Sequence, residues 1–301
     1  MALKWISGEK VKNALTYEHL IPEMEKALST FSQGSVVQPV RTVVPVNKVN
    51  GFLGVMPAYS PEQEALATKL VTFFPNNKNI PTHHAVIVMF NPDSGVPELL
   101  MDGEVITTMR TAAVSAVATK VLYGDNPQVL AILGSGVQAR SHYQAMTSIF
   151  SFKKINVWSK TPSNAQKLAD EINGIACTSA EMAVKDADVI VTVTSSSDPV
   201  LQKEWVKPGA HINAVGACRP DWQEIDSDLM KSGVVFVDSR VAAHKESGDV
   251  ILSGAEVYAE LGEVINKVKD KPKGETTLFK SLGLAVEDIL SAKLVQDLVS
   301  E

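Results

Sequence analysis

Cysteine is scarce in this sequence. Cys177 and Cys218 are the only two in 301 residues, too few for a disulfide framework or a thiolate metal site, so a reducing compartment is the expected setting. Positive charge is not in excess either. The 28 Lys and Arg residues face 34 Asp and Glu, a formal charge of −6, which leaves no surplus of cations to neutralise a polynucleotide. Small ligands are expected instead. Residues 1–12 alternate apolar and charged side chains and lack the apolar stretch and cleavage site of a secretory signal. No segment reads as an unbroken apolar run of the ~18 residues that span a bilayer. The expected location is cytoplasmic, without membrane partners. A G-x-S-x-G nucleophile elbow is also missing, so nothing supports a serine hydrolase.

What is present is an ordinary folded composition, 45% apolar and 21% charged, at a length that fits two domains. The two halves differ in pattern. Residues 7–31 read as helices: Ser7 suits an N-cap, Pro22 suits the opening turn of a second helix, and Met24, Ala27, Leu28 and Phe31 recur at helical spacing. Strands follow at 36–46, 52–59, 67–74, 85–90 and 99–101, separated by turn residues and without helices between them, which predicts a mostly antiparallel sheet. After residue 103 helix and strand alternate strictly, with buried strands at 129–133, 155–158, 189–194, 211–216 and 234–238, the pattern of a doubly wound α/β sheet. The charged segment 269–275, broken by Pro272 and Gly274, reads as a linker, and a final helix near 284–298 has an apolar face suited to return to the first domain. The expected fold class is thus α/β: a Rossmann-type dinucleotide-binding domain over 112–283, and an α+β domain for substrate and dimerisation over 1–111 with 284–301.

The most specific local signal is Gly134-Ser135-Gly136-Val137-Gln138-Ala139, between a run of five apolar residues and a helical stretch. The first glycine permits the tight turn, the second lets backbone approach a pyrophosphate, and Ala139 keeps helix and strand close. An NAD site usually places an acid about 20 residues further on, for the ribose 2′-hydroxyl. Here Trp158-Ser159-Lys160-Thr161 offers hydroxyls and an ammonium instead, which favours the 2′-phosphate of NADP(H). The alternative is that Lys160 is a solvated surface lysine.

Two cations sit inside apolar strand text. Lys69 shares a face with Val71 and Phe73, and Arg41 lies in Val40-Arg41-Thr42-Val43-Val44. An unpaired buried cation is costly, which makes a bound carboxylate an attractive partner; the alternative is a sheet-edge or snorkelling cation. Arg110, beside Thr111 at a helix start, adds a third cation, its alternative being a helix-surface arginine. His83 and His84 point to opposite faces and have no Cys, Asp or Glu cluster nearby, so no metal is expected. Ser195-Ser196-Ser197 follows a buried strand where dinucleotides bind, and reads equally as cofactor contacts or as a polar turn.

Several longer stretches carry a resemblance. Gln38-Pro39-Val40-Arg41-Thr42-Val43-Val44-Pro45, Gly54-Val55-Met56-Pro57-Ala58-Tyr59, Thr68-Lys69-Leu70-Val71-Thr72-Phe73, Arg110-Thr111-Ala112-Ala113-Val114-Ser115-Ala116, Trp205-Val206-Lys207-Pro208-Gly209-Ala210-His211-Ile212-Asn213-Ala214-Val215-Gly216-Ala217 and Lys245-Glu246-Ser247-Gly248-Asp249-Val250 resemble the ornithine cyclodeaminase/mu-crystallin family. The match is to the mu-crystallin branch in particular.

The resemblance implies a homodimer whose first-half strands pair across subunits, with substrate between that layer and the nicotinamide. It implies that Arg41, Lys69 and Arg110 hold a substrate carboxylate. The NADPH pocket would draw on Thr82, His83, Thr111, Gly134, Ser135, Gly136, Val137 and Gln138. Ser159, Lys160, Thr161 and Asn164 would hold the 2′-phosphate, and Thr194, Ser195, Val215 and Ser281 would lie nearer the nicotinamide. Ornithine cyclodeaminases carry an aspartate after the fifth Rossmann strand where this chain has Cys218. A thiol cannot stand in for a carboxylate that must be charged at neutral pH. Ornithine cyclodeamination is therefore not expected, and reduction of small cyclic ketimine carboxylates with NADPH is. The branch is also associated with thyroid-hormone binding and with bulk use in lens, and an alanine-type dehydrogenase is a further alternative.

Overall fold

Polar residues that cap helices and a two-residue alternation of buried side chains organise the first part of the chain. The computed structural model describes residues 3–124 and 126–300. In order it contains β1 (Lys4–Ile6), α1 (Gly8–Ala14), α2 (Tyr17–Ser32), β2 (Thr42–Val46), β3 (Gly51–Ser60), β4 (Ala65–Phe73), β5 (His83–Phe90), β6 (Pro97–Asp102) and α3 (Gly103–Leu122). Then follow β7 (Val129–Leu133), α4 (Val137–Ile149), β8 (Lys154–Trp158), α5 (Pro162–Ile172), β9 (Ile175–Ala176), α6 (Ala180–Val184), β10 (Val189–Thr192), β11 (His211–Ala214) and α7 (Ser227–Ser232). The chain closes with β12 (Val234–Val237), α8 (Arg240–Glu246), α9 (Gly248–Ser253), β13 (Val257–Glu260), α10 (Leu261–Ile265), β14 (Thr277–Lys280) and α11 (Ala285–Ser300). These fall into two compact units, one made of the chain up to Arg110 and again from Gly283, the other of Thr111–Leu282.

The first unit is built on a six-stranded sheet in the order β1-β6-β5-β4-β3-β2. All neighbours are antiparallel except β1 with β6, as the uninterrupted strand text predicts. Along β4 burial alternates, so Ala65, Ala67, Lys69 and Val71 face one side, which α11 covers, with α2 packed on α11. Gln38 accepts the Val286 N–H at 2.7 Å. A glutamine of the first-half motif thus caps the returning helix.

Three local readings are corrected. The second helix opens at Tyr17, capped by Thr16, whose side chain accepts the His19 N–H at 3.4 Å; Pro22 falls deeper, because threonine is the stronger start signal. Arg41 lies just before β2 rather than inside a strand. Residues 269–275 form a loop between α10 and β14 within the second unit, and the chain changes unit at Gly283. Position 283 has φ +82, a conformation that suits glycine.

The second unit holds an eight-stranded, wholly parallel sheet in the order β13-β12-β14-β11-β10-β7-β8-β9. Its central strands β10, β11 and β14 are buried along their whole length, and Ala131, Leu133, Ile190, Ile212, Val235 and Leu278 share one core, the pattern of a parallel sheet covered on both faces. From β7 the chain runs outward through β8 and β9, then returns to β10 on the other side of β7. That reversal is the switch point where doubly wound sheets bind dinucleotides, at the carboxyl ends of the strands. One further correction concerns α3, which reaches the length and apolarity of a membrane span, with mean hydropathy 1.2. Glu104, Arg110 and Lys120 interrupt it in the sequence, which hid the run. Ala112, Ala113, Val114, Ala116, Val117 and Ala118 on it are all fully buried, as in a core helix of a folded domain.

Candidate active site

In the first unit the cations are neither surface groups nor alone. Lys69 sits on the interior strand β4 and is 1% exposed, and Arg110 on α3 is 5% exposed, which removes the snorkelling and helix-surface alternatives. Their partners come from the first turn of α11. Asp288 takes the Lys69 ammonium on Oδ2 at 2.5 Å and the Arg110 Nε on Oδ1 at 3.1 Å, while Glu287 takes Arg110 Nη1 at 2.9 Å. Lys69 also reaches Thr107 Oγ1 at 3.4 Å. Arg41 donates to the Gly283 carbonyl at 3.1 Å, and a Cβ on Gly283 would meet Arg110 Nη1 at 2.3 Å. Gly283 therefore lies between the two arginines and must be small.

Sequence reasoning expected a ligand to neutralise these cations and missed the two acids. Their signal was present in Val286-Glu287-Asp288, adjacent acids that open an otherwise apolar helix. Arg41, Lys69 and Arg110 thus lie in one group with Glu287 and Asp288.

Titration follows from the same packing. Burial lowers the Lys69 ammonium to about 8, opposed by Asp288 and assisted by Arg110 and Arg41. Burial raises Asp288, but the Lys69 and Arg110 charges outweigh it and hold the carboxyl below its ordinary range. His83, at the start of β5, is lowered to about 4 by burial and then by Lys69 and Arg110. It is neutral at pH 7 and adds no charge. His84 is exposed. The backbone carbonyl of Thr82 accepts the Phe74 N–H at 2.7 Å. Among the described residues no three His, Cys, Asp or Glu side chains gather as a metal site.

In the second unit the sequence-predicted cofactor residues converge because each follows a strand of one parallel sheet. Gly134 follows β7, Ser159 follows β8, Thr194 and Ser195 follow β10, Val215 follows β11, and Ser281 follows β14. Gly134 has φ +127, and a Cβ there would meet the Val193 carbonyl at 2.6 Å. Gly136 caps α4 without a side-chain bond, with nothing within 4 Å of the place a Cβ would take, and Val137 beside it is 64% exposed. An open, uncapped helix start is a seat for phosphate. Ser135 Oγ donates to Ser159 Oγ at 2.9 Å. Lys160, Thr161 and Asn164 are exposed around the start of α5, where Thr161 is the cap residue and makes no side-chain cap bond. Ser281 is buried, and its hydroxyl has no partner among the described residues. These features fit a dinucleotide.

Some predicted contacts sit differently. Ser196 and Ser197 spend their hydroxyls on Asp198 within a local turn, whereas Ser195 is exposed and outside that pair of bonds. Thr111 is buried on α3, and Ser115 Oγ lies 3.4 Å from its carbonyl. Ser115 in turn meets His142 Nε2 at 2.9 Å, and His142 Nδ1 meets the Gln138 carbonyl at 2.8 Å. Burial lowers His142 to about 4, so Nδ1 donates and Nε2 accepts. Gln138 of the glycine loop is thereby fixed to α3.

A second buried ionic group escaped the sequence reading. Glu224 accepts the Thr194 N–H at 2.6 Å, the Gly216 N–H at 2.8 Å and the Thr192 hydroxyl at 2.8 Å. Asp249 accepts the Glu224 and Ile225 N–H groups and pairs with Lys280 at 3.0 Å. All three side chains are fully buried. Glu224 therefore ties the loops after β10 and β11 together, and a Cβ on Gly216 would meet its carboxylate at 2.4 Å. The group holds the rim on which Thr194 and Val215 sit.

A model of the ornithine cyclodeaminase/mu-crystallin family matches residues 5–301. The ketimine reductase mu-crystallin of Mus musculus is 55% identical over 97% of this chain and 96% of that protein. Delta(1)-pyrroline-2-carboxylate reductase of Thermococcus litoralis, solved with NADH and L-proline, has a TM-score of 0.94 at 34% identity, covering 99% of this chain and 98% of that one. An archaeal alanine dehydrogenase dimer with bound NAD has a TM-score of 0.94 at 30% identity, covering 100% of this chain and 97% of that one.

Proposed function

Because the chain belongs to the ornithine cyclodeaminase/mu-crystallin family, we propose that it is an NADPH-dependent ketimine reductase, acting on the C=N bond of small cyclic imines that bear a carboxylate on the imine carbon. The observation that carries this reading is the gathering of three cations, Arg41, Lys69 and Arg110, in one group of which Lys69 and Arg110 are buried. Such a group suits a substrate carboxylate, since charge-assisted hydrogen bonds to it are strong. Arg41 and Arg110 clamp the carboxylate, and Lys69 delivers a proton to the imine nitrogen. When bound, NADPH supplies the hydride that the imine carbon receives. The chain's own contribution is orientation and charge.

Gly134, Ser135, Gly136, Val137 and Gln138 would receive the pyrophosphate, and Ser159, Lys160, Thr161 and Asn164 the 2′-phosphate. Replacing Lys160 by Glu is expected to raise the KM for NADPH by about 10-fold or more, the value of a hydrogen bond to a charged group, with the KM for NADH nearly unchanged. Steady-state kinetics with each cofactor checks this.

Dimerisation is proposed through the first unit. All five residues of the edge strand β2 are exposed, Val43 and Val44 by nearly half, and an unpaired edge of this kind favours strand addition. Sedimentation at micromolar protein should give twice the chain mass.

Initial rates of NADPH oxidation with five- and six-membered ketimine carboxylates test the function. Substrate-dependent loss of nicotinamide absorbance supports it, and no loss with either ring contradicts it. Ammonia-dependent oxidation with pyruvate, in the absence of turnover with the rings, would favour an alanine-type dehydrogenase. The same cations suit the carboxylate of an iodothyronine. If thyroid hormone shares the site, it inhibits turnover competitively against the ketimine.

A further inference from the structure

Asp288 bridges the two halves of the cation group. One carboxylate oxygen holds the Lys69 ammonium at 2.5 Å and the other holds Arg110 at 3.1 Å. Glu287, one residue earlier on α11, pairs with Arg110 instead. Two adjacent acids of similar burial thus have different cations to serve. Lys69 is also faced by Arg110 and Thr107 from α3, by Arg41 ahead of β2, and by His83 from β5. Of these, Arg110 and Arg41 repel a proton on Lys69, and His83 is neutral at pH 7.

We propose that Asp288 is a positioning residue that keeps Lys69 charged and aimed, and so sets the upper pH limit of imine reduction. The inference rests on the function proposed above. In the step concerned, the imine carbon gains a hydride from the reduced nicotinamide, which leaves oxidised. The C=N π pair moves to nitrogen, and nitrogen takes the proton from Lys69 Nζ. Lys69 is left neutral and regains a proton from water. If only the charged form works, the rate is full below the lysine's pKa and falls as pH rises through it. Burial has already brought that pKa down to about 8, with Asp288 opposing the fall. Loss of the opposing carboxylate should carry it lower, by ~1–2 units as for close charge pairs.

The experiment compares pH profiles of NADPH oxidation at saturating ketimine carboxylate for the unaltered protein, Asp288→Asn and Glu287→Gln. The expected basic limb lies near pH 8, moves down by ~1–2 units in Asp288→Asn and stays in place in Glu287→Gln, whose change is in KM. A limb that stays in place in Asp288→Asn, even at a reduced rate, overturns the proposal. So does an equal shift in both variants, which would assign the effect to total charge.

A second readout needs no turnover: the 13Cε shift of Lys69, identified by its loss in Lys69→Arg, is titrated in lysine-labelled protein. A lower midpoint in Asp288→Asn supports the proposal, and an unchanged midpoint overturns it. An unaltered protein that titrates as expected but reduces no ketimine would contradict the function while sparing the ion pair. If Asp288→Asn does not fold, Asp288→Ala is assayed with formate to replace the carboxylate. A limb or midpoint that rises on adding formate supports the proposal, and one that does not move overturns it.

Discussion

Replacing Lys69 by Met is expected to lower kcat for a cyclic ketimine carboxylate by about 10²–10⁴-fold, the usual contribution of a positioned proton donor. The fold should survive the change. Methionine retains the length and apolar stem of lysine, and Asp288 keeps Arg110 as a partner at 3.1 Å, so no carboxylate is left without a cation. Affinity for NADPH should hardly change, because the residues proposed to receive its phosphates belong to the second unit. Single-turnover rates, with cofactor binding followed by fluorescence, separate the two effects. A variant with near-normal kcat would remove Lys69 from the chemistry, whereas equal loss of cofactor binding and turnover would point to damage of the fold.

The second large effect is expected at Lys280. Changing it to Met leaves Asp249 fully buried without its 3.0 Å partner, and breaking a buried pair by removing one member costs about 3–5 kcal/mol. Asp249 also accepts two backbone N–H groups, from Glu224 and Ile225, and Glu224 carries the N–H groups of Thr194 and Gly216. Loss of stability should therefore come with weaker NADPH binding. Denaturant unfolding monitored by tryptophan fluorescence gives the first quantity and titration with NADPH the second. Unchanged stability would mean that the network is not the brace described here.

The architecture was legible because both periodicities are clean. Runs such as Val129-Leu130-Ala131-Ile132-Leu133, each before a turn and a helix, specify a parallel sheet, and the separate strand text from 51 to 102 specifies an antiparallel one. The glycine turn was legible for the same reason, since Gly134 and Gly136 are read from their position between a strand and a helix. The short β1 was not, because three residues hold no period and its pairing with β6 is a tertiary event.

The cation group was half legible. Lys69 stood out as a charge on an apolar face, but Asp288 lies 219 positions away on a helix whose acids look like ordinary first-turn residues. Only folding brings the pair within 2.5 Å. Glu224, Asp249 and Lys280 were hidden likewise, each an unremarkable charge until burial removed its solvent. Gln38 belongs with them, a side chain whose task of capping α11 is set by a contact 248 residues away.

Hydride delivery to the imine carbon is the centre of the account, and isotope transfer tests it most directly. Incubation of the protein with NADPH deuterated at nicotinamide C4, on the face it transfers, and a cyclic ketimine carboxylate should yield a cyclic amino acid with one deuterium on the carbon that bears the carboxylate. Absence of product, or product without deuterium at that carbon, would contradict the reaction proposed here.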